Sequence, residues 1–347
     1  MNRKMGRIKA IIDVVPFVLC FAVVFLINCG TPMGPVDSQW RSVISLGEYN
    51  CNDLQCDTAG DVYIAAGNRI LRYNGTEFEM FAEFDGYREV DMFTFDGGGA
   101  ACLDCDFDPE TAPGLFRYSE GLWEQIVLPD DIDEIIDFEV VNADSCWVYG
   151  FMADWDSKLY LYSGDEWTGY DFADYIIDTE VTTSGTFYAI PEVSPYSLHI
   201  CTDNGNRWTE EPFVFADPQF EMVEIGGSAW GTKGAVVSLG DTLYIIARIK
   251  VNGAPDYSLI KRDGNPGDGL WTPVVICPER APDTHIFESV AFDGTGRGLI
   301  AGEETSIVSD GKGVWTKELF DHKLQNLRGS PTGGFWAICR DKLYYHP

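Results

Sequence analysis

The feature that most constrains the fold is a unit that recurs along the chain with a spacing in the forties. In each unit a short apolar segment runs into a turn rich in Gly, Asn or Asp, and a large aromatic residue follows. Residues 159–164 lead in this way to Trp167, and residues 306–311 lead to Trp315. Six such aromatic markers, at Phe78, Trp123, Trp167, Trp208, Trp271 and Trp315, are separated by 45, 44, 41, 63 and 44 residues.

This repeat predicts the blades of a β-propeller. A period in the forties that contains several short strands is typical of propeller blades. Turns such as Asn74-Gly75 and Asp263-Gly264 suit hairpins, because their backbone must adopt positive φ. After residue 30 no sustained apolar stripe occurs at helical spacing. We therefore expect an all-β chain that forms a single propeller over residues 38–347.

The two ends of the chain predict how the propeller closes. The apolar segments 335–338 and 343–345 have no outer strand after them, whereas 40–46 reads as an outer strand with no blade before it. Pairing the first segment of the domain with the last completes one blade and removes two exposed edges. The count is then seven four-stranded blades. The 63-residue interval indicates an insertion around 215–231 rather than an eighth blade.

Two turns resemble the Asp-box, a repeat of sialidase-like and photosystem-assembly-factor-like propellers. In that family an Asp-x-Gly-x-x-Trp turn joins the third and fourth strands of a blade. The run from Asp203 to Trp208 matches it, although Cys201 stands where Ser or Thr is usual. The run from Asp310 to Trp315 has the same parts with one spacing shifted. In the resembling families these turns are structural, so the resemblance implies architecture and no activity.

The N-terminus predicts export. A basic head (residues 1–9) precedes an apolar stretch (14–27) that is shorter than the ~20 residues of a membrane-spanning helix, which favours a signal peptide over 1–28. The segment Leu26-Ile27-Asn28-Cys29 resembles the lipobox of bacterial lipoproteins, with Asn28 where a small residue is usual. The resemblance implies that Cys29 carries a lipid. An uncleaved membrane anchor and ordinary secretion are the alternatives.

The lipoprotein resemblance also predicts a location. Residues 29–37 would be a short lipid-anchored tether, and the protein would lie at the bacterial cell envelope. Gly30 is not the aspartate that retains lipoproteins at the inner membrane in the resembling family. The outer membrane or the cell surface is therefore favoured.

The charge excludes one class of function. Lys and Arg total 24 against 55 Asp and Glu, a formal net charge of −31. A surface this negative repels phosphate backbones. We therefore expect no nucleic-acid partner.

No catalytic or metal site is predicted. The arginine cluster that a sialidase uses for its carboxylate substrate is missing. The segment 104–110 alternates carboxylates as a calcium loop does, but Pro109 stands where such a loop needs a flexible Gly. The four histidines, His199, His285, His322 and His346, have no ligand spacing. We expect no cofactor.

The cysteines of an exported chain can form disulfides. Cys51 and Cys56 flank a short segment and are the candidate pair. Cys102 and Cys105 have CxxC spacing, but on a strand their side chains point to opposite faces. Buried thiols are expected for the cysteines in apolar strand contexts, which are Cys146, Cys201 and Cys339.

Together these features favour a non-enzymatic function. Propellers present variable loops on a rigid frame, so we expect a monomeric, membrane-anchored binding or scaffold protein that contacts protein or glycan partners. Two alternatives remain open at this point: a glycan-acting hydrolase of the sialidase-like propeller type, and an assembly factor for a membrane complex.

Overall fold

A computed structural model of the chain describes most of residues 36–347. The residues in this range that it does not describe are 38, 48, 50, 96–98, 105–112, 143, 153–156, 172–174, 192–195, 203, 204, 206, 226–234, 252, 278–286, 303, 304, 321 and 322. The predicted signal peptide, the lipobox with Cys29, and most of the tether lie outside the described residues, as do Cys105, His285 and His322. Asp37–Pro347 form one compact unit.

The described residues form strands, with no helix among them. A two-residue strand, β1 (Val36–Asp37), comes first, followed by β2 (Arg41–Ser45). Blade one contains β3 (Cys51–Cys56), β4 (Val62–Ala66), β5 (Arg69–Tyr73) and β6 (Phe78–Glu83). Blade two contains β7 (Glu89–Thr94), β8 (Ala100–Asp104), β9 (Gly114–Ser119) and β10 (Leu122–Ile126). Blade three contains β11 (Glu134–Asn142), β12 (Ser145–Phe151), β13 (Ser157–Ser163) and β14 (Glu166–Asp171).

The remaining strands complete seven blades. Blade four contains β15 (Ile176–Val181), β16 (Phe187–Pro191), β17 (Ser197–Thr202) and β18 (Arg207–Pro212). Blade five contains β19 (Phe220–Ile225), β20 (Val236–Leu239), β21 (Thr242–Val251), β22 (Ala254–Asp263) and β23 (Leu270–Cys277). Blade six contains β24 (Phe287–Phe292), β25 (Gly298–Gly302), β26 (Thr305–Ser309) and β27 (Trp315–Leu319). Blade seven contains β28 (Gln325–Gly329), β29 (Phe335–Cys339) and β30 (Lys342–His346), with β2 as its outer strand.

The predicted all-β propeller of seven blades is confirmed, and so is its closure. Strand β2 pairs antiparallel with β30, placing Arg41 opposite Tyr345 and Ser45 opposite Lys342. Trp40, just before β2, is buried between the rings of Phe320 (6.0 Å) and His346 (5.3 Å). The first strand of the domain therefore covers the edge that the last strand would otherwise expose.

The first strands of the blades surround the centre of the ring. Contacts between them join β3 to β7, β11 to β15, β15 to β20, β20 to β24, β24 to β28 and β28 back to β3. Between blades two and three the contact runs from β11 to β8.

The aromatic markers are the first or second residues of the outer strands, where they pack between blades. Trp208 at the start of β18 contacts the rings of Trp147 (5.7 Å) and Tyr170 (5.5 Å) of blade three. Trp271 of β23 is fully buried and lies 4.7 Å from Phe213, which follows blade four. The marker recurs because each outer strand packs a large apolar side chain against the neighbouring blade.

Blade five takes up the extra residues of the long interval in two places. Its first strand is interrupted, since β19 and β20 both pair with β21 and residues 226–234 lie between them. Its central hairpin is also long, with ten residues in each of β21 and β22. The insertion predicted around 215–231 is therefore only partly correct, because Phe220–Ile225 belongs to the blade itself.

Strand direction gives the propeller two different faces. We call the turn face the end that carries the connections between first and second strands and between third and fourth strands. The loop face carries the connections between second and third strands and those between blades. On the turn face, adjacent turns bond to each other: Thr183 N donates to Gly240 O (3.3 Å), and Gly294 N donates to Ser330 O (2.9 Å). Hydrogen bonds thus join the turns of blades four and five and those of blades six and seven.

Candidate binding surface

Carboxylates on the first strands tie neighbouring blades together. Asp53 accepts from the backbone N–H of Leu54 (2.7 Å) and from that of Phe93 in blade two (3.1 Å). Asp178 repeats this pattern with Thr179 N (3.0 Å) and with Val236 N in blade five (3.1 Å). Such bonds satisfy backbone donors that the sheet ladder leaves unpaired near the centre of the ring.

Irregular pairing explains how these side chains reach the next blade. The register of β15 on β16 shifts between Ile176 and Asp178, and that of β11 on β12 shifts next to Asp137. A bulge turns the strand and redirects a side chain. Asp137 accordingly accepts from the Thr179 hydroxyl of blade four (2.7 Å). These acids could not be singled out in the sequence, because the first strands that carry them contain other polar residues as well.

Among the buried carboxylic acids, Asp178 most resembles the catalytic acid of an enzyme. Burial, together with the nearby Asp137 and Glu180 carboxylates, raises its pKa well above the usual value. A carboxyl with a raised pKa beside other carboxylates is the arrangement that glycosidases use as a general acid. Both oxygens of Asp178 are, however, occupied by backbone N–H groups, and the residue is only 9% exposed. Its hydrogen bonds are therefore those of a residue that links blade four to blade five.

The described residues offer no cluster of three or more His, Cys, Asp or Glu side chains that could hold a metal ion. Two of the histidines lie among them. His199 is on β17, and His346 on β30 is buried with its Nε2 3.1 Å from Glu318 Oε2 of blade six. The carboxylate-rich run 104–110 falls almost wholly outside the described residues.

The structure does not bring the two cysteines of the candidate disulfide together. Cys51 and Cys56 are the first and last residues of this strand. At about 3.3 Å per residue their Cα atoms lie about 16 Å apart, whereas a disulfide needs a separation under about 7 Å. The three cysteines expected to be buried thiols, Cys146, Cys201 and Cys339, are each buried. No disulfide joins any two of the six cysteines whose side chains the structure describes.

The segments that resemble Asp-boxes join third and fourth strands, where the resemblance puts them. Asp310, between β26 and β27, accepts from Lys312 N (2.7 Å) and Val314 N (3.1 Å). Of the other segment, Gly205 lies between β17 and β18 with φ +88° and accepts from the Tyr170 hydroxyl (3.2 Å), but Asp203 lies outside the described residues. The Asp-box identity itself stays an interpretation.

A second turn motif recurs on the turn face and was missed in the sequence. Between first and second strands, a five-residue turn places Asp, Thr or Ser first and a Gly of positive φ fourth. In blade six, Asp293 N donates to Arg297 O (2.9 Å) and Gly296 N to Asp293 O (2.9 Å). The other copies are 57–61, 182–186 and 330–334. The spacing of the first residue and the glycine was a readable signal.

The loop face carries an apolar groove between blades four and five. Its volume is about 560 Å³. The lining comes from the start of β17, the end of β18, the connection 213–219 and the start of β19: Tyr196, Pro212, Phe213, Val214, Phe215, Pro218, Phe220, Glu221, Met222 and Val223. Most of these described side chains are aromatic or aliphatic, and the one charged side chain among them is the carboxylate of Glu221.

The side chains that line the groove are supported by the apolar core of the two blades. Tyr196, Phe213, Phe220 and Met222 are half-buried and pack on the apolar core of blades four and five. Phe215 lies 6.1 Å from Phe220, ring to ring. The aromatic surface is therefore preformed, as is usual for ligand sites.

No helix in the described part of the chain has the length and apolar character needed to cross a membrane.

The fold and this surface define a seven-bladed β-propeller with a structured turn face and an apolar groove on its loop face. No known family model matches the chain, and no curated protein does. Many solved structures share the fold. A YCF48 bound to a D1 peptide has a TM-score of 0.61 at 14% identity, over 92% of this chain and 99% of that one.

Two other solved structures are similar over part of their own length. The extracellular domain of a putative one-component system from B. thetaiotaomicron has a TM-score of 0.55 at 12% identity, over 89% of this chain and 40% of that one. A GH74 enzyme from Niastella koreensis has a TM-score of 0.58 at 12% identity, over 88% and 53%. At these identities the likeness shows the fold alone.

Proposed function

We propose that this chain is a lipid-anchored, extracytoplasmic binding propeller that holds a protein partner on its loop face. The observation that carries the proposal is the apolar groove on the loop face, whose walls rest on the core of blades four and five. Hydrogen bonds between connections occur on both faces, as at Thr183 and Gly240 on the turn face and at Asn68 and Phe84 on the loop face. The loop face presents the blade-to-blade connections and the preformed apolar groove. Binding residues gather on loops that a rigid scaffold positions.

A related architecture supports a protein partner. YCF48, whose fold this chain shares, has been seen with a D1 peptide bound. A propeller of this size can therefore hold a segment of another chain. An assembly factor for a membrane complex would be one form of such a function.

A hydrolase is less well supported by the described residues. The carboxylate with the raised pKa, Asp178, accepts hydrogen bonds from Thr179 N and Val236 N and is buried. A general acid must reach the oxygen that it protonates. The GH74 enzyme shares the fold of this chain, and fold alone does not carry activity.

The anchor is proposed from the sequence. The lipobox-like segment ends at Cys29, and a lipid there would hold the propeller at the cell envelope. Metabolic labelling with a tagged fatty acid tests this: the wild-type chain should label, and Cys29→Ala should not label and should leave the membrane fraction. Equal labelling of the two chains, or none in either, would refute the anchor.

Site-specific photo-cross-linking tests the binding face. p-Benzoylphenylalanine replaces Asp130, an exposed residue in the loop-face connection between β10 and β11, or Glu120, an exposed residue in a turn-face hairpin. After irradiation of intact cells, we expect a discrete adduct of one partner protein from position 130 and none from position 120. Adducts from both positions alike, or from neither, would contradict the proposal.

A further inference from the structure

We infer that the groove between blades four and five binds an extended segment of a partner protein that carries a large apolar side chain beside a lysine or arginine. This inference rests on the proposed function and adds the place and the chemistry of the contact.

The shape and lining of the groove fit a large apolar side chain. Its volume of about 560 Å³ lies within the range of small-ligand pockets and can hold a large apolar side chain with its neighbours. Among the described residues that line it, only Tyr196 and Glu221 have polar side chains. A glycan presents hydroxyl groups that need many polar partners, which this lining does not supply. An apolar side chain loses water there without that cost.

The charge beside the groove favours a lysine or arginine on the partner. Residues 213–225 form the connection to blade five and its first strand, and they contain Asp217, Glu221 and Glu224 but no lysine or arginine. Glu221 has a side chain that is 67% exposed, and its carboxylate meets the exposed Lys250 (2.9 Å). A partner cation could share this carboxylate with Lys250 at the surface. A partner carboxylate would instead be repelled by a chain of net charge −31.

The backbone beside the groove is fixed to the edge of blade five. The Trp271 N–H donates to Val214 O (2.8 Å), and the Ala216 N–H donates to Trp271 O (3.0 Å), so a single parallel bridge joins this segment to β23. Phe215 at the bridge is buried, whereas Val214 beside it is 47% exposed. A peptide in the groove would therefore meet this segment at the Val214 side chain.

Selection of peptides on the purified full-length chain in detergent tests the inference. The probe is a random dodecapeptide display library, with chito-oligosaccharides as a second probe. We expect enriched peptides that pair an aromatic or large aliphatic residue with a neighbouring Lys or Arg. Losing the burial of one large side chain corresponds to about a tenfold or larger rise in Kd. Val214→Asp should raise the Kd of the enriched peptides by this amount, and Glu221→Lys should do the same for the peptides with Lys or Arg.

Matched variants elsewhere on the surface serve as controls. Val314→Asp alters a residue of similar exposure (52%) in blade six, and Glu124→Lys reverses an exposed carboxylate in blade two. Both should leave the Kd unchanged. The inference is overturned by an absence of enriched peptides, by equal binding to Val214→Asp, or by oligosaccharide binding that Val214→Asp abolishes. Peptide binding that appears only after residues 1–37 are removed would identify the chain's own N-terminus as the occupant and would overturn it too.

The cross-link at position 130 separates this inference from the proposed function. If the partner adduct persists in the Val214→Asp chain at wild-type yield, the groove is wrong and the binding function stands. If no partner is found at either face while enriched peptides still require Val214, the groove binds peptides and the proposed scaffold role fails.

Discussion

Arg262 of blade five donates two hydrogen bonds to Glu211 of blade four, from Nε to Oε1 (2.8 Å) and from Nη2 to Oε2 (2.7 Å). Both side chains are almost completely buried. Glu211 also accepts from the N–H groups of Gly267 (2.9 Å) and Gly269 (3.1 Å), so one carboxylate holds the whole turn between β22 and β23 against blade four. The same turn precedes Trp271, on which the groove connection rests.

Removing the charge of Glu211 should destabilise the propeller strongly. Glu211→Gln leaves the Arg262 guanidinium buried without its counter-ion, and breaking a buried pair in this way costs about 3–5 kcal/mol. Urea unfolding followed by tryptophan fluorescence measures the loss. The control is Glu83→Gln, which breaks an exposed pair with Arg69 (2.7 Å) and should cost less than about 1 kcal/mol. Similar losses in the two variants would show that the buried ion pair stabilises the fold no more than the exposed pair does.

Stability should fall in acid. Burial acts to raise the pKa of the Glu211 carboxyl, but the bonds from Arg262 and Gly269 outweigh it and hold the pKa below the usual 4.5. The pKa of Asp293 is likewise held below 3.8, since bonds from Thr295, Gly334 and Arg297 outweigh its burial. A lowered folded-state pKa stabilises the fold above the ordinary value, and that stability disappears as the pH drops through the folded-state pKa.

Thermal melts between pH 7 and pH 2.5 test this. We expect the Tm to fall below about pH 4.5, and to fall less steeply in a chain that carries Asp293→Asn, because one of the depressed groups is gone. An unchanged Tm down to pH 2.5, or an identical profile in the variant, would contradict the assigned pKa directions.

The closing strand should be essential. A chain that lacks residues 1–47 loses β2 and Trp40, which exposes the edge of β30 and the rings that surround Trp40. We expect it to aggregate or to unfold on purification, whereas a chain that lacks residues 1–36 keeps every strand of blade seven and stays stable. Circular dichroism melts compare the two. Equal thermal midpoints would rule out closure by β2.

The cysteines at the ends of β3 should be reduced in the folded protein. Because the extended strand keeps Cys51 and Cys56 about 16 Å apart, we expect alkylation of the unfolded, unreduced chain to modify both. Mass spectrometry of the tryptic peptides measures the adducts. A Cys51–Cys56 cross-linked peptide in the unreduced sample would show that β3 adopts another conformation in the exported protein.

Features that repeat could be predicted from the sequence, and features that join blades could not. Trp123, Trp167 and Trp315 recur because every outer strand meets the same environment, so their spacing disclosed the blades. The partner of Asp53 is Phe93, forty residues away, and that of Glu211 is Arg262, fifty-one residues away. No local pattern marks such pairs.

The interrupted first strand of blade five and the groove could not be predicted from the sequence, for a related reason. The apolar run from Phe213 to Phe215 reads as one more strand in the sequence. Its role depends on pairing with Trp271, which lies across an irregular first strand and a long hairpin. Cys51 and Cys56 show the opposite effect, since residues that are close in sequence lie far apart along an extended strand.

The strand that precedes the closing strand limits how far the propeller could lie from a membrane. Before β2 pairs with β30, the chain has already paired β1 (Val36–Asp37) with β27 of blade six. Seven residues separate Cys29 from Val36, which is about 25 Å of fully extended chain. A lipid at Cys29 would therefore keep blade six within about that distance of the bilayer, and a partner of the propeller would meet it at the membrane surface.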